Sequence, residues 1–85
     1  MINTSELTKL GFKLHCSYNE RDFTYDEYLL GEHGLNLLVT NEYDSISKKI
    51  ERQIIEIGIY NNYESVRITD LNDFKTLCKI VKINN

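Results

Sequence analysis

The chain has 85 residues, of which 41% are hydrophobic and 27% charged, and its formal net charge is −3. That length holds one domain, residues 1–85, which buries only about 60 to 65% of the surface its unfolded chain exposes; the composition is that of a folding chain and not of a disordered tail. The negative balance disfavours nucleic acid as a partner, and no apolar run approaches the roughly 18 residues that a membrane-crossing helix needs.

The opening "MINTSELTKLG" has neither the basic start nor the apolar stretch of an export signal, so a cytoplasmic location is expected. In that compartment Cys16 and Cys78 are expected to be reduced thiols at packed positions and not a disulfide.

In chain order, Asn3 is placed to cap a first helix, with Glu6 three residues on to close a capping box. Leu7 and Leu10 share a face of that helix, and Gly11 ends it. From Phe12 the period becomes two. Phe12, Leu14, Cys16 and Tyr18 alternate with Lys13, His15 and Ser17, the pattern of a half-buried strand. A second strand is expected from Asp22 to Leu30. Phe23 and Tyr25 lie on one parity and Tyr28 and Leu30 on the other, which predicts a bulge near Asp26 and Glu27. "GEHG", Gly31 to Gly34 with His33 in the turn, returns the chain into a third strand from Leu35 to Thr40. The segment from Asp44 to Gln53 fits a loop, a helical turn through Ile46 and Ile50, or an extension of the next strand.

"IIEIGIYNNYESVRI" predicts a hairpin about a two-residue Asn61-Asn62 turn, since asparagine tolerates positive φ. This turn sets Tyr60 opposite Tyr63, Ile57 opposite Val66, Glu56 opposite Arg67 and Ile55 opposite Ile68. Ile55, Ile57, Ile59, Val66 and Ile68 then share one face. Thr69 or Asp70 caps a last helix whose Leu71, Phe74, Leu77, Cys78 and Val81 recur at helical spacing. It is expected to lie on the Ile55 face. The fold class is therefore α+β: a short N-terminal helix, an antiparallel meander of four to five strands and a C-terminal helix on one sheet face.

Catalytic constellations are absent from the sequence. No Cys-x-x-Cys or His-x-x-x-His spacing marks a metal site, and His15 and Cys16 on a strand point to opposite faces. No G-x-S-x-G elbow marks a nucleophile. Gly31 and Gly34 have the wrong spacing for a phosphate cradle and precede a strand. No cofactor and no enzymatic activity are expected.

Charge is distributed unevenly. Residues 17–47 hold seven acids and only Arg21 as a base, net −6, which leaves +3 for the remainder. Among those acids stand Tyr18, Tyr25 and Tyr28, and tyrosine is at home in protein interfaces. Tyr18, Tyr25, Asp26, Glu27 and Tyr28 are therefore the candidate partner-binding residues, forming an acidic, tyrosine-rich edge for a protein partner. Tyr60 and Tyr63 are the candidate surface of a homodimer. The competing reading of the same acids and tyrosines is a solvated strand face that protects a small sheet from aggregation. Lys75, Lys79 and Lys82, with Lys48, Lys49 and Arg52, form the basic side. A small ligand-binding domain or enzyme is a further alternative, and it requires a concave polar pocket.

"LTKLGF", Leu7 to Phe12, and the closing "ITDLNDFKTLCKIV", Ile68 to Val81, resemble small uncharacterised proteins of phages and prophages of Bacteroidota-type hosts. Those proteins begin with a Leu-x-x-Leu-Gly-Phe step and end in one amphipathic helix. The chain has no alanine, proline or tryptophan and is rich in Ile, Asn, Lys and Tyr, residues with AT-rich codons, in keeping with such genomes. The resemblance implies the layout and a mobile-element origin, and assigns no functional residue.

Overall fold

The computed structural model describes residues 1–32 and 34–85, so the expected place of His33 in the turn lies outside the described residues. The elements follow the chain as α1 (Thr4–Lys9), β1 (Lys13–Glu20), β2 (Phe23–Leu30), β3 (Leu35–Asp44), β4 (Ile50–Ile59), β5 (Asn62–Val66) and α2 (Leu71–Ile83). The five strands form one antiparallel sheet in the order β1-β2-β3-β4-β5, a pure meander. Both helices lie on one face of it, and this α+β layout is the expected one.

α1 begins at Asn3, whose side chain accepts from the Glu6 N–H at 2.8 Å. Glu6 does not return to close a capping box. Its carboxylate instead meets Lys75 of α2 at 3.6 Å and ties the two helices together. The "LGF" step ends α1 as a Schellman motif. Gly11 takes φ +100°, its N–H donates to Thr8 O, and the Phe12 N–H donates to Leu7 O. Leu7 and Phe12 are both buried, the hydrophobic contact such a motif carries. α2 is capped by Asp70, which accepts from the Asn72 N–H at 2.7 Å; Asp73 in its first turn and Lys82 in its last complement the helix dipole.

The core lies between this helix layer and the even positions of β2, the odd positions of β3 and β4. Leu7, Phe74, Cys78 and Val81 pack on Leu30, Leu37, Val39 and Ile55, and Phe12 stacks on Phe74 with ring centroids 5.7 Å apart. Each such fully buried aliphatic or aromatic side chain contributes roughly 1.5 to 3 kcal/mol, so these few residues dominate the stability of a small domain.

Several expectations are corrected. β1 is exposed along its whole length, and Cys16 is an exposed thiol, because β1 is the edge strand and lies beyond the reach of both helices. The bulge falls on β1 and not near Asp26 and Glu27: the β1–β2 register passes from Leu14↔Tyr28 to Cys16↔Glu27, leaving His15 as the extra residue. β2 itself runs regularly against β3. Its change of apolar parity reflects the end of the helix layer: Leu30 is buried under the helices, whereas Phe23 and Tyr25 lie on the opposite face near the other end. β3 continues to Asp44, and Ser45 to Lys49 form the turn into β4. There the Asp44 carboxylate accepts from the Ile46 and Ser47 N–H groups at 2.9 and 2.8 Å.

The last hairpin turns one residue earlier than expected. Tyr60 and Asn61 occupy the positive-φ positions at 48° and 74°, and the pairs are Ile59↔Asn62, Gly58↔Tyr63, Ile57↔Glu64, Glu56↔Ser65 and Ile55↔Val66. Each β5 partner is displaced by two residues, so the side-chain faces are retained while the Glu56–Arg67 pair is lost and Ile68 falls beyond the strand. The gain is at Gly58, where the Tyr63 ring now covers the space that a side chain would fill. The Tyr60 N–H also donates to Gly34 O at 2.9 Å. These contacts outweigh the cost of placing a tyrosine at positive φ.

Candidate functional site

With both helices on one side, the other face of the sheet has no covering element among the described residues. Its side chains follow from the register. Lys13, Cys16, Tyr18 and Glu20 come from β1, Phe23, Tyr25, Glu27 and Leu29 from β2, and Leu38, Thr40, Glu42 and Asp44 from β3. β4 adds Arg52, Ile54 and Glu56, and β5 adds Tyr63 and Ser65.

The β1–β2 edge of this open face carries an aromatic pair. Tyr18 and Tyr25 are direct cross-strand partners, and their rings stack with centroids 4.9 Å apart and planes 15° from parallel. One row along the strands, Cys16 donates its thiol to Glu27 Oε1 at 3.3 Å. On the β3 side, Tyr25 is opposite Glu42, whose carboxylate meets Arg52 at 3.4 Å. Arg52 thus belongs to the acidic face and not to the basic side where its sequence neighbours Lys48 and Lys49 suggested it.

These carboxylates act on the ionisable groups around them. Hydrogen bonding to Glu27 raises the Cys16 thiol above its ordinary value, with partial desolvation and the charges of Glu27 and Asp26 adding to it. Partial desolvation followed by the charge of Glu27 raises the Tyr18 phenol. Hydrogen bonding to Glu42 is the largest cause for Tyr25. At neutral pH all three are therefore neutral donors beside carboxylate acceptors, and Cys16 is a poor nucleophile.

The five residues expected to form one edge are divided by the sheet. Tyr18, Tyr25 and Glu27 share the open face. Asp26 and Tyr28 point to the helix side: Asp26 accepts from the Ser17 hydroxyl at 2.6 Å, and Tyr28 packs against the core, where desolvation raises its phenol. Tyr60 and Tyr63 are also separated, Tyr60 being an exposed turn residue while Tyr63 lies over Gly58 on the open face. Sequence reasoning missed Glu42, Phe23 and Arg52 as members of the site. The signal lay in the β2–β3 and β3–β4 registers, which single-strand alternation does not reveal.

A concavity of about 740 Å³ opens where the chain crosses from β5 to α2. Ile2, Ile54, Val66, Ile68 and Leu71 supply its apolar lining, and the ionisable side chains there are Glu6, Arg67 and Asp70. Glu6 is paired with Lys75 and Asp70 caps α2, so both carboxylates have structural partners. Above Gln53, the Ile2 backbone is held at both its N–H and its carbonyl by the Gln53 amide, which also donates to the fully buried Asn41.

Among the described residues no group of three or more His, Cys, Asp or Glu is arranged to hold a metal ion, and no helix is long and apolar enough to cross a membrane. No protein-family model, curated protein or solved structure matches this chain.

Proposed function

We propose that this protein is a non-enzymatic interaction module that engages a protein partner through the open face of its sheet, centred on Tyr18, Tyr25, Glu27 and Glu42. The observation that carries this reading is the Tyr18–Tyr25 stack, placed among carboxylates on a sheet face that neither helix covers. Tyrosine contributes contact area at low entropic cost, and the surrounding acids steer encounter. A role as a phage or mobile-element accessory protein acting in the cytosol accompanies this proposal, supported by the codon bias and by an exposed thiol, which suits a reducing compartment.

The Tyr18→Ala, Tyr25→Ala double variant should keep the circular dichroism of the parent and lose capture of the partner. Unchanged capture sinks the proposal.

A second reading is a homodimer built on the same face. Leu29, Leu38 and Ile54 support it, since they continue the apolar surface from the tyrosines toward Tyr63. It requires a solution mass twice the 10.0 kDa of the chain.

A further inference from the structure

The open face of the sheet carries an excess of negative charge. Glu20, Glu27, Glu42, Asp44 and Glu56 project from the open face against only Lys13 and Arg52. Asp44 is occupied by its own turn, and Arg52 reaches Glu42. Among the described residues, Glu20, Glu27 and Glu56 have no cation within ion-pair distance. Lys9 belongs to α1, and Lys75, Lys79 and Lys82 to α2, where they stand with Glu6, Asp70 and Asp73, so the helix layer on the opposite side of the sheet has mixed charge. Two copies meeting open face to open face would bring carboxylates against carboxylates, which disfavours a symmetric dimer. The complementary occupant carries positive charge.

The aromatic pair narrows the choice of cation. Two stacked phenol rings stand between Glu27 and Glu42, and Tyr18 remains 41% exposed. A planar guanidinium can lie against an aromatic ring while its N–H fork donates to a neighbouring carboxylate. An ammonium group is a more strongly hydrated point charge and uses the ring and the carboxylate less well together. Tyr18, Tyr25 and Cys16, all neutral, add no competing negative charge of their own.

We infer that the occupant of the open face is a basic segment of a partner protein, anchored by arginine over the Tyr18–Tyr25 pair and by the carboxylate of Glu27. This rests on the reading of the face as a docking surface and adds the chemistry of what docks.

The test is a titration of the isotopically labelled full chain with a short Arg-Ser repeat peptide and with its Lys-for-Arg counterpart, followed by amide chemical shifts at low salt. The expected result is saturable shifts in β1, β2 and β3 around Tyr18, Tyr25, Glu27 and Glu42, with weaker binding of the lysine peptide. Removing one charge-assisted contact by Glu27→Gln should weaken the arginine peptide about tenfold. If Glu27→Gln does not fold, Glu20→Gln at the exposed end of β1 provides the charge test. Equal binding of the two peptides, shifts centred on α2, or no saturable binding overturns the arginine assignment. Salt-sensitive stacking of copies, helix layer to open face, overturns it as well by making a second chain the occupant. The broader docking role fails separately, when the Tyr18→Ala, Tyr25→Ala variant still captures the partner.

Discussion

Gly58 shows how one small residue sets the register of a hairpin. A β-carbon added there would stand 2.5 Å from Cε1 of Tyr63 and closer still to the Asn36 amide oxygen. That oxygen has no hydrogen-bond partner although Asn36 is buried, while the Asn36 amide nitrogen donates to Glu32 O at 2.9 Å. Its position against the glycine Cα fits a weak C–H···O contact, available only where the side chain is a hydrogen. Gly58→Ala should therefore cost about 1 to 3 kcal/mol, the usual range for overfilling a packed site. Urea unfolding of the two chains measures it. A cost within error of zero would show that the Tyr63 ring swings aside and that the register is held by the turn alone.

At the scale of elements, the parts legible in the sequence are those whose determinants are local. Asn3, Gly11 and Asp70 mark helix ends by their own capping chemistry, and the spacing of Phe74, Cys78 and Val81 specifies the buried face of α2 without reference to the sheet. What escaped were features set by neighbours across strands. The two-residue shift of the last hairpin depends on what fills the space above Gly58, and the division of Tyr25 from Tyr28 depends on where the helix layer stops. The Asp44 turn was ambiguous for the same reason, because "SISKKIERQ" has no periodicity that favours one state. In the fold its carboxylate accepts from the Ser47 and Ile46 N–H groups, and these bonds hold its pKa below the ordinary 3.8. A carboxyl group depressed on folding stabilises the native state above its unfolded pKa, and that contribution is lost as the pH falls through the folded value. The parent should thus lose stability on acidification below about pH 4 more steeply than Asp44→Asn, as read from melting temperatures across pH 2 to 6. Parallel curves would remove Asp44 from the acid response.

The whole molecule measures 39 × 26 × 20 Å, with an excess of carboxylates on its open sheet face and mixed charge on its helix side. That arrangement separates the two readings of the open face without knowledge of a partner. A docking surface for a basic protein implies a monomer of 10.0 kDa at low ionic strength, where carboxylates on facing copies repel. Light scattering over a hundredfold range of concentration and at two salt levels checks this. A dimer at low salt would assign Leu29, Leu38, Ile54 and Tyr63 to self-association.

The meander has a kinetic consequence. Because every strand pairs only with its sequence neighbours, no strand must wait for a distant segment, and each hairpin can form as soon as its two arms exist. The long loop closure is left to the helices. Leu7 and Phe12 near one terminus meet Phe74 near the other, and Glu6 meets Lys75, so these contacts span nearly the whole ribbon between them. The longest loop closure in the fold is therefore the one that brings the first and last helices together over the sheet, and it completes the core.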